Sequence, residues 1–562
     1  MFGAIPADGG RSGAGSSGVG GALLGLQTSI GEAGSRSSSV STAGQSNTNA
    51  VCWNPSGQQG LGCYRCPPEN FLHFERACTD AHCVPFDNSR SLTKLSAEGR
   101  LPPLPTATGG SANATLGASG SESSSVSTGA SEVIGAAGNA SIPPESGSAG
   151  TPASLAAGGT AGTGDSPGVR CDELPNTSKT VYVTGSSAAT PFLQEIAQQL
   201  AARSTRIVYV AAGSCTGVDA AINRTALRTG PAPAAAASAL YWSSSTSTGK
   251  RCQLPPAGVV ADLGISDVFV QTCPGFELAS LESLRVKDAH GPIQTMAFVV
   301  PAGSTYSTIS AQAAYFVFGF GKVGGVVDPN TGSPIWNDDE YLYVRGPSSG
   351  TQAMLAAAIG VPSSRWLGRR TGSSDEVAQL LSAASVTSST ADKALGILAV
   401  DYIDSRDLRG QLRILAFQDT DQVCAFFPDS TATARDKRNV RDGHYPIFGP
   451  LHLLYRADAA GNPEDTSKRE EILDVVGYLS GSKALPNGDR LLDVFAKRGL
   501  IPECAMRVTR TKDGGSLVGF SPANPCSCAF ERAATGMTKC TECQVQADCK
   551  PDESCSMGYC EQ

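Results

Sequence analysis

A long stretch of small residues limits what this chain of 562 residues can fold into. Of the 65 residues from 106 to 170, 47 are Gly, Ala, Ser or Thr, and no aromatic residue lies between Phe86 and Tyr182. Such a stretch buries too little apolar surface to offset the entropy that is lost when its backbone is ordered. We therefore predict a flexible linker over residues 104–170. We expect the Gly/Ser-rich residues 1–50 to be disordered as well.

Charge and hydropathy exclude two broad classes of protein. The chain has 43 Lys and Arg against 51 Asp and Glu, so its net charge is −8. It lacks the basic surplus that is typical of nucleic-acid-binding proteins, and we expect no nucleic-acid partner. No run of 18 apolar residues occurs, so the sequence predicts no membrane-spanning helix.

The numbers of cysteines and histidines favour disulfides over zinc. The chain contains 18 Cys and only 5 His. Structural disulfides persist in oxidising compartments, so we expect a periplasmic, cell-surface or secreted protein. The start at Met1 carries neither a basic segment nor a long apolar one, so we expect the export signal to lie upstream of it.

Residues 51–103 are predicted to form a small cysteine-rich module that is held by disulfides. Its five cysteines are Cys52, Cys63, Cys66, Cys78 and Cys83. The Cys63-x-x-Cys66 spacing leaves a zinc half-site or a redox pair open as alternatives, and His73 and His82 could serve the first. The absence of a second Cys-x-x-Cys motif nearby favours the disulfide interpretation.

The C-terminal tail, predicted as residues 512–562, continues a run of eight cysteines from Cys504 to Cys560. A segment this short and this poor in aliphatic residues needs covalent cross-links to hold one shape. Four disulfides are possible there, and the sequence leaves their pairing open. We expect no zinc in either cysteine-rich region.

Residues 171–511 have a globular composition in which strands and helices alternate. The pattern predicts strands at 180–184, 206–212, 259–266 and 341–345, and helices at 191–200 and 352–359. This alternation is typical of α/β proteins with parallel strands.

Loops rich in Gly, Ser and Thr follow three of these strands, at 185–187, 213–217 and 346–351. A helix that begins at such a loop offers unpaired N–H groups and the positive end of its dipole, which suits an anion. Any one of these loops is more often a simple turn or helix cap. Their recurrence beside Asp267 and Arg345 favours an anion site at the carboxyl ends of the strands.

Other candidate residues are interpreted as structural. Cys215, inside the second loop, is expected to be half of a disulfide or a buried thiol. His290, His444 and His452 lie apart from these motifs in sequence, and no Ser-His-Asp set is apparent.

These loops resemble those of periplasmic phosphate-binding proteins, the substrate-binding components of phosphate ABC importers. The similar segments are Gly185-Ser186-Ser187, Gly213-Ser214-x-x-Gly217, Gly264-x-Ser266-Asp267 and Arg345-x-x-x-Ser349-Gly350-Thr351. The resemblance runs in the family's order over residues 179–508. It departs from the family at Ala188 and Ala189, where many members have a Thr, and at Pro347, where an acidic residue is often found.

The resemblance implies a two-lobed type-II periplasmic binding fold. One lobe would combine residues 179–290 with 443–508, and the other would hold 291–442, with two or more strands crossing between them. Disordered Gly/Ser-rich segments and small disulfide-rich modules would flank this core. The family also implies a monomer that is not an enzyme and needs no cofactor or metal.

A phosphate site is implied by carrying the family's ligands over by position. The ligand-binding residues would be Ser187, Thr190, Ser214, Asp267, Arg345, Ser349, Gly350 and Thr351. Arg345 would supply the one positive charge. Asp267 would accept the proton of hydrogen phosphate. Sulfate has no such proton, so an aspartate at this position selects against it.

Two functions from different classes are compatible with these features. The first is capture of inorganic phosphate for an ABC importer membrane complex or for a sensor. The alternative is a secreted structural or adhesive protein that uses the same fold without binding phosphate. A phosphatase would require a metal site or nucleophile for which the sequence gives no pattern.

Overall fold

A computed structural model describes residues 63–106 and 169–561 of the chain. Short gaps within these ranges fall at 67, 69–70, 97, 176–177, 230–237, 245–247, 386, 421, 486 and 488–489. The predicted disorder of residues 1–50 and most of the predicted linker lie outside the described residues. In the part of the chain that the structure describes, no helix is long and apolar enough to cross a membrane.

The described strands are numbered in chain order. They are β1 (Cys83–Val84), β2 (Lys179–Gly185), β3 (Thr205–Ala211), β4 (Ala239–Tyr241), β5 (Lys250–Cys252), β6 (Leu263–Ser266), β7 (Val286–Pro301), β8 (Thr308–Ser310), β9 (Leu342–Arg345), β10 (Arg369–Thr371), β11 (Leu395–Ala399), β12 (Leu412–Ile414), β13 (Ala416–Gln418), β14 (Ala425–Phe426), β15 (Phe448–Arg456), β16 (Val508–Thr509), β17 (Val518–Gly519), β18 (Ser554–Ser556) and β19 (Tyr559–Glu561).

The described α-helices are numbered in the same way. They are α1 (Phe71–Arg76), α2 (Asn88–Ser91), α3 (Thr190–Ala201), α4 (Ser214–Asn223), α5 (Ala279–Ser283), α6 (Ala311–Phe320), α7 (Gly350–Ile359), α8 (Ser374–Ala384), α9 (Ser388–Ala391), α10 (Val400–Ser405), α11 (Arg438–Arg441), α12 (Arg469–Ser480), α13 (Leu491–Arg498) and α14 (Ser527–Thr535). Short 3-10 helices cover Val270–Thr272, Gly321–Val323, Asp339–Tyr341, Ser363–Arg365, Leu408–Gly410, Glu503–Ala505 and Gln546–Asp548.

One large sheet joins two parallel halves through two antiparallel strands. Its order is β10-β9-β11-β7-β15-β6-β2-β3-β4-β5, and β12 pairs with the end of β7. Strands β2, β3 and β6 are parallel to one another, and so are β9, β10 and β11. Between these halves, β7 and β15 pair antiparallel. We call the half with β2, β3 and β6 the first lobe and the half with β9, β10 and β11 the second lobe.

The chain enters the second lobe along β7 and returns to the first along β15. The 16 residues of β7 pair with β15 over the first part of the strand and with β11 and β12 near its end. Two α/β lobes that share such crossing strands form a type-II periplasmic binding fold. The predicted fold class is confirmed, whereas the lobe boundaries, which fall next to these strands, stay predictions.

The predicted elements around the loops form with small shifts at their ends, except for one strand. The pattern predicts a strand over 259–266, but β6 begins only at Leu263. Val259 instead exchanges backbone hydrogen bonds with Leu227. The Asp262 carboxylate then accepts from the backbone N–H of Tyr182 at 2.8 Å. The Asp262 N–H also donates to the Tyr182 carbonyl, so the Asp262 side chain accepts the Tyr182 N–H while its backbone remains bonded to β2.

Disulfides hold both flanking regions, as the cysteine content predicts. The pairs in which both cysteines are described are Cys63–Cys78, Cys83–Cys424, Cys171–Cys252, Cys215–Cys273, Cys504–Cys526, Cys528–Cys540, Cys543–Cys555 and Cys549–Cys560. No described cysteine is free. The eight tail cysteines therefore form four disulfides with one another. The N-terminal region is not closed on itself, because Cys83 binds Cys424 of the second lobe.

Candidate anion site

Four strands end beside one another at the boundary between the lobes. Ser187 follows β2, Ser214 begins α4 after β3, and Asp267 follows β6. In the second lobe, Arg345 is the last residue of β9, and Ser349 is the N-cap of α7. Parallel strands present their carboxyl ends at the same sheet edge, so these positions lie where open α/β sheets bind ligands.

Ser214, Asp267 and Gly350 are packed against one another. The Ser214 hydroxyl lies 3.0 Å from Asp267 Oδ2 and accepts from the Asp267 backbone N–H at 3.2 Å. A Cβ on Gly350 would stand 2.3 Å from Ser214 Oγ and 2.9 Å from Asp267 Oδ2. Only glycine permits this approach, so the N-terminus of α7 in the second lobe reaches the first lobe's two polar side chains.

A backbone contact also joins the second loop to the second lobe. The N–H of Cys215 donates to the carbonyl oxygen of Ser348 at 3.2 Å. Gly213, with a φ of 103°, turns the chain here, and a Cβ on it would lie 2.9 Å from that oxygen. The disulfide Cys215–Cys273 ties α4 to the segment that follows Asp267. Of the two states expected for Cys215, half of a disulfide or a buried thiol, the structure shows the disulfide.

Arg345 contacts both lobes. Its Nη1 donates to Ser374 Oγ at 3.0 Å and its Nη2 to the Gly372 carbonyl at 3.4 Å, both in the second lobe. Nη2 also lies 3.3 Å from Ser187 Oγ of the first lobe. Within the described ranges, the buried Nε has no hydrogen-bond partner. The partners of the guanidinium are thus hydroxyls and a carbonyl, consistent with Pro347 standing where the family often has an acid.

Burial shifts the pKa of both charged groups. Asp267 is 2% exposed, and burial raises its pKa to about 6. Hydrogen bonds from Ser186 and Ser214 and the charge of Arg345 act in the opposite direction. Burial lowers the pKa of Arg345. Asp267 Oδ1 is buried without a hydrogen-bond partner among the residues that the structure describes. One oxygen of this carboxylate thus has an unused acceptor position.

Two further carboxylates near the site were missed as site residues by sequence analysis. Asp401 accepts from Gln294 Nε2 at 3.1 Å, and its pKa is raised well above the usual range by burial and then by the charge of Asp267. Asp513 accepts from the Phe269 N–H at 2.9 Å, and burial raises its pKa. Asp401 lies within residues 179–508, over which the sequence resembles the family, whereas Asp513 lies beyond them.

The other predicted ligands make local contacts. The hydroxyl of Thr190 donates to the Ser187 carbonyl at 2.9 Å, at the start of α3. Ser349 Oγ accepts from the N–H of Gln352 at 3.5 Å as a helix cap. Thr351 is buried in the first turn of α7. The structure therefore brings Ser187, Ser214, Asp267, Arg345 and Gly350 into one cluster. The hydroxyls of Thr190 and Ser349 instead form hydrogen bonds with the backbone at the starts of their own helices.

No protein-family model matches the chain, and no curated protein matches it in sequence. Solved structures are similar over the two-lobed region. A protein from Clostridium perfringens described as a phosphate ABC transporter substrate-binding protein, with phosphate bound, is 13% identical, and the match covers 58% of this chain and 99% of that one with a TM-score of 0.37. An ABC-type phosphate transport receptor from Vibrio cholerae is 11% identical over 58% of this chain and all (100%) of that one, with a TM-score of 0.34.

A third similar structure has a different function. The reduced OxyR regulatory domain of Pseudomonas aeruginosa is 9% identical over 54% of this chain and 96% of that one, with a TM-score of 0.28. At these values the likenesses carry no argument about a ligand. The assignment of the fold rests on the strand order and the crossing strands of this chain.

Proposed function

We propose that this chain is an extracytoplasmic binding protein that captures inorganic phosphate between its two lobes. The observation that carries the proposal is the cluster of Asp267 and Arg345 at the lobe boundary, one from each lobe and both buried. Around them stand donors that suit a tetrahedral oxyanion, the hydroxyls of Ser187 and Ser214 and the N-terminus of α7.

Asp267 favours an anion that carries a proton. A buried carboxylate repels an anion unless it accepts a hydrogen bond from it. Its Oδ1 has no partner among the described residues, so it is free to accept the hydroxyl of hydrogen phosphate. Sulfate has no proton to give at neutral pH and would leave this acceptor unsatisfied. The site therefore prefers phosphate to sulfate.

Arg345 neutralises the bound anion and links the lobes. Its guanidinium has no carboxylate hydrogen-bond partner in the described structure, so its charge is available to a ligand. An oxyanion between the lobes would accept hydrogen bonds from both of them. These bonds would stabilise the conformation in which the two lobes are closed around the anion. Delivery to an ABC importer or to a sensor, by a monomer outside the cytoplasm, would follow from such a closed complex. The disulfides agree with this compartment.

A structural or adhesive role is the second candidate function. It is favoured by Ala188 and Ala189, which remove a hydroxyl from the first loop, and by the direct contact of Gly350 with Ser214. In such a protein the polar cluster would simply hold the lobes together.

Titration calorimetry of the full disulfide-bonded chain, dialysed free of phosphate, separates the two functions. We expect one saturable phosphate site at pH 7.5 and its loss in Ser214→Ala, while Ser382→Ala, a change at a half-buried serine of α8 outside the cluster, leaves binding unchanged. Absence of saturable binding in the wild-type chain would contradict phosphate capture and favour the structural alternative.

A further inference from the structure

Two histidines and an aspartate meet on the strands that cross between the lobes. Asp288 and His290 lie on β7, and His452 lies on β15. The register places His452 directly opposite His290 and pairs Asp288 with Leu454, two residues beyond His452. Sequence analysis treated both histidines as separate structural residues, because their pairing depends on the sheet.

The three side chains are close enough to share one ligand. His452 Nδ1 lies 2.8 and 3.0 Å from the two carboxylate oxygens of Asp288. The imidazole rings of His290 and His452 have centroids 5.1 Å apart. One ligand atom from each residue can be chosen so that all three lie within 4.8 Å of one another.

A strand irregularity produces this arrangement. The register shifts between Pro450 and His452, where β7 carries one residue more than β15, at Gly291-Pro292. Such bulges redirect side chains and are common beside functional sites. Without it, the positions opposite one another beyond Pro450 would differ by one residue, and His452 would not face His290.

His452 faces Asp288 through one of its two ring nitrogens. Its side chain is fully buried, and Nδ1 is directed at Asp288. Its Nε2 has no hydrogen-bond partner among the described residues. An ion bound by all three residues would therefore be held through Nδ1, the nitrogen beside the carboxylate, and would replace the hydrogen bond between His452 and Asp288. His290, in contrast, is exposed and can rotate toward an incoming ion.

We propose that Asp288, His290 and His452 bind a divalent transition-metal ion, with Zn²⁺ as the expected occupant. Two imidazoles and one carboxylate suit Zn²⁺ better than the hard cations Mg²⁺ and Ca²⁺. Ligand bonds of about 2.0–2.2 Å separate the ligand atoms of a tetrahedral ion by roughly 3.4 Å. The ligand atoms, which now lie up to 4.8 Å apart, must therefore move closer together. The exposed His290 side chain can make this movement. The ion would join β7 to β15. The proposal does not rest on phosphate binding, although His452 lies opposite Ser266, the residue before Asp267.

Titration of the chelator-treated full chain with Zn²⁺ tests this site. We expect one bound ion per chain and a rise in the midpoint of thermal unfolding on addition of Zn²⁺. His290→Ala should weaken Zn²⁺ binding by at least about tenfold, and so should Asp288→Asn. Neither change removes a fully buried side chain, so both variants should fold. The matched control is His82→Ala, an exposed histidine outside the cluster, which should bind Zn²⁺ as the wild type does.

Co²⁺ gives a second measurement at the same site. A Co²⁺ ion held by these three ligands should give visible absorption bands that Zn²⁺ displaces and that are absent from His290→Ala. Wild-type chain that binds no Zn²⁺, or that binds it equally well in His290→Ala, would overturn the proposal. In that case Asp288 and His452 would be a hydrogen-bonded structural pair with a surface histidine beside them.

Discussion

The guanidinium of Arg345 lies 3.3 Å from the hydroxyl of Ser187, across the boundary between the two lobes. Arg345 ends β9 of the second lobe, and Ser187 follows β2 of the first. An oxyanion could accept a hydrogen bond from each of these two groups. A bound anion would therefore take over hydrogen bonds that the lobes otherwise exchange with each other.

Replacing Arg345 with Ala should lower the affinity of the site for every oxyanion by a similar factor. The variant loses the site's positive charge but keeps Asp267, which discriminates between anions. Hydrogen bonds to charged groups contribute about 1.5–3 kcal/mol, so phosphate affinity should fall by roughly 10- to 150-fold. Calorimetry checks this, with Arg369→Ala, an exposed arginine in the second lobe, as the matched control. Unchanged affinity in Arg345→Ala would remove Arg345 from the site.

Gly350→Ala should prevent the lobes from meeting at the site. The added Cβ would stand 2.3 Å from Ser214 Oγ and 2.9 Å from Asp267 Oδ2. Closure should then be blocked, and apparent phosphate affinity should fall by at least about tenfold. Gly346→Ala, in the same loop, is the matched control because no atom lies within 4 Å of its added Cβ. Equal phosphate affinity in the two variants would show that the contact at Gly350 is not needed for binding.

The contribution of Asp267 to the stability of the protein should fall as pH rises from about 4 to about 6. The folded-state pKa of Asp267 is raised to about 6 by burial, above the ~3.9 of an unfolded aspartate. A raised folded pKa gives a contribution that is present below the unfolded pKa and is lost as pH rises through the folded pKa. Relative to Asp267→Asn, the wild type should lose on the order of 1–3 kcal/mol of unfolding free energy across this window.

Urea unfolding of the two proteins between pH 4 and pH 7.5 measures this difference. Asp401 and Asp513 also have raised pKa values and are present in both proteins. Because the charge of Asp267 contributes to the raised pKa of Asp401, the difference measures Asp267 together with this coupling. Parallel pH profiles for wild type and Asp267→Asn would mean that Asp267 is ionised throughout the window.

The predictable parts of this fold are local, and the unpredicted parts are long-range. The strand–loop–helix units around Ser214 and Gly350 followed from short patterns of Gly, Ser and apolar residues. Asp513 could not be predicted in this way, because its hydrogen bond to the Phe269 N–H joins positions 244 residues apart. Such contacts depend on how the tail packs, which no local pattern encodes.

The disulfide between Cys83 and Cys424 should stabilise the joined N-terminal region and second lobe. It links positions 341 residues apart. The double variant Cys83→Ser/Cys424→Ser should lose about 2–5 kcal/mol of unfolding free energy. The matched control removes Cys543–Cys555, which closes only 12 residues of the tail and should leave unfolding of the lobes unchanged. A non-reducing digest that does not recover a peptide joining Cys83 to Cys424 would contradict this pairing.

The proton of the bound anion is the central claim, and competition calorimetry on wild type and Asp267→Asn tests it most directly. At pH 7.5 the wild-type chain should bind phosphate and discriminate against sulfate. The Asn variant removes the repulsive charge and can donate a hydrogen bond, so its sulfate affinity should rise by up to about 1–3 kcal/mol. A wild-type chain that binds sulfate as well as phosphate, or an Asp267→Asn variant with an unchanged ratio of the two affinities, would contradict the account.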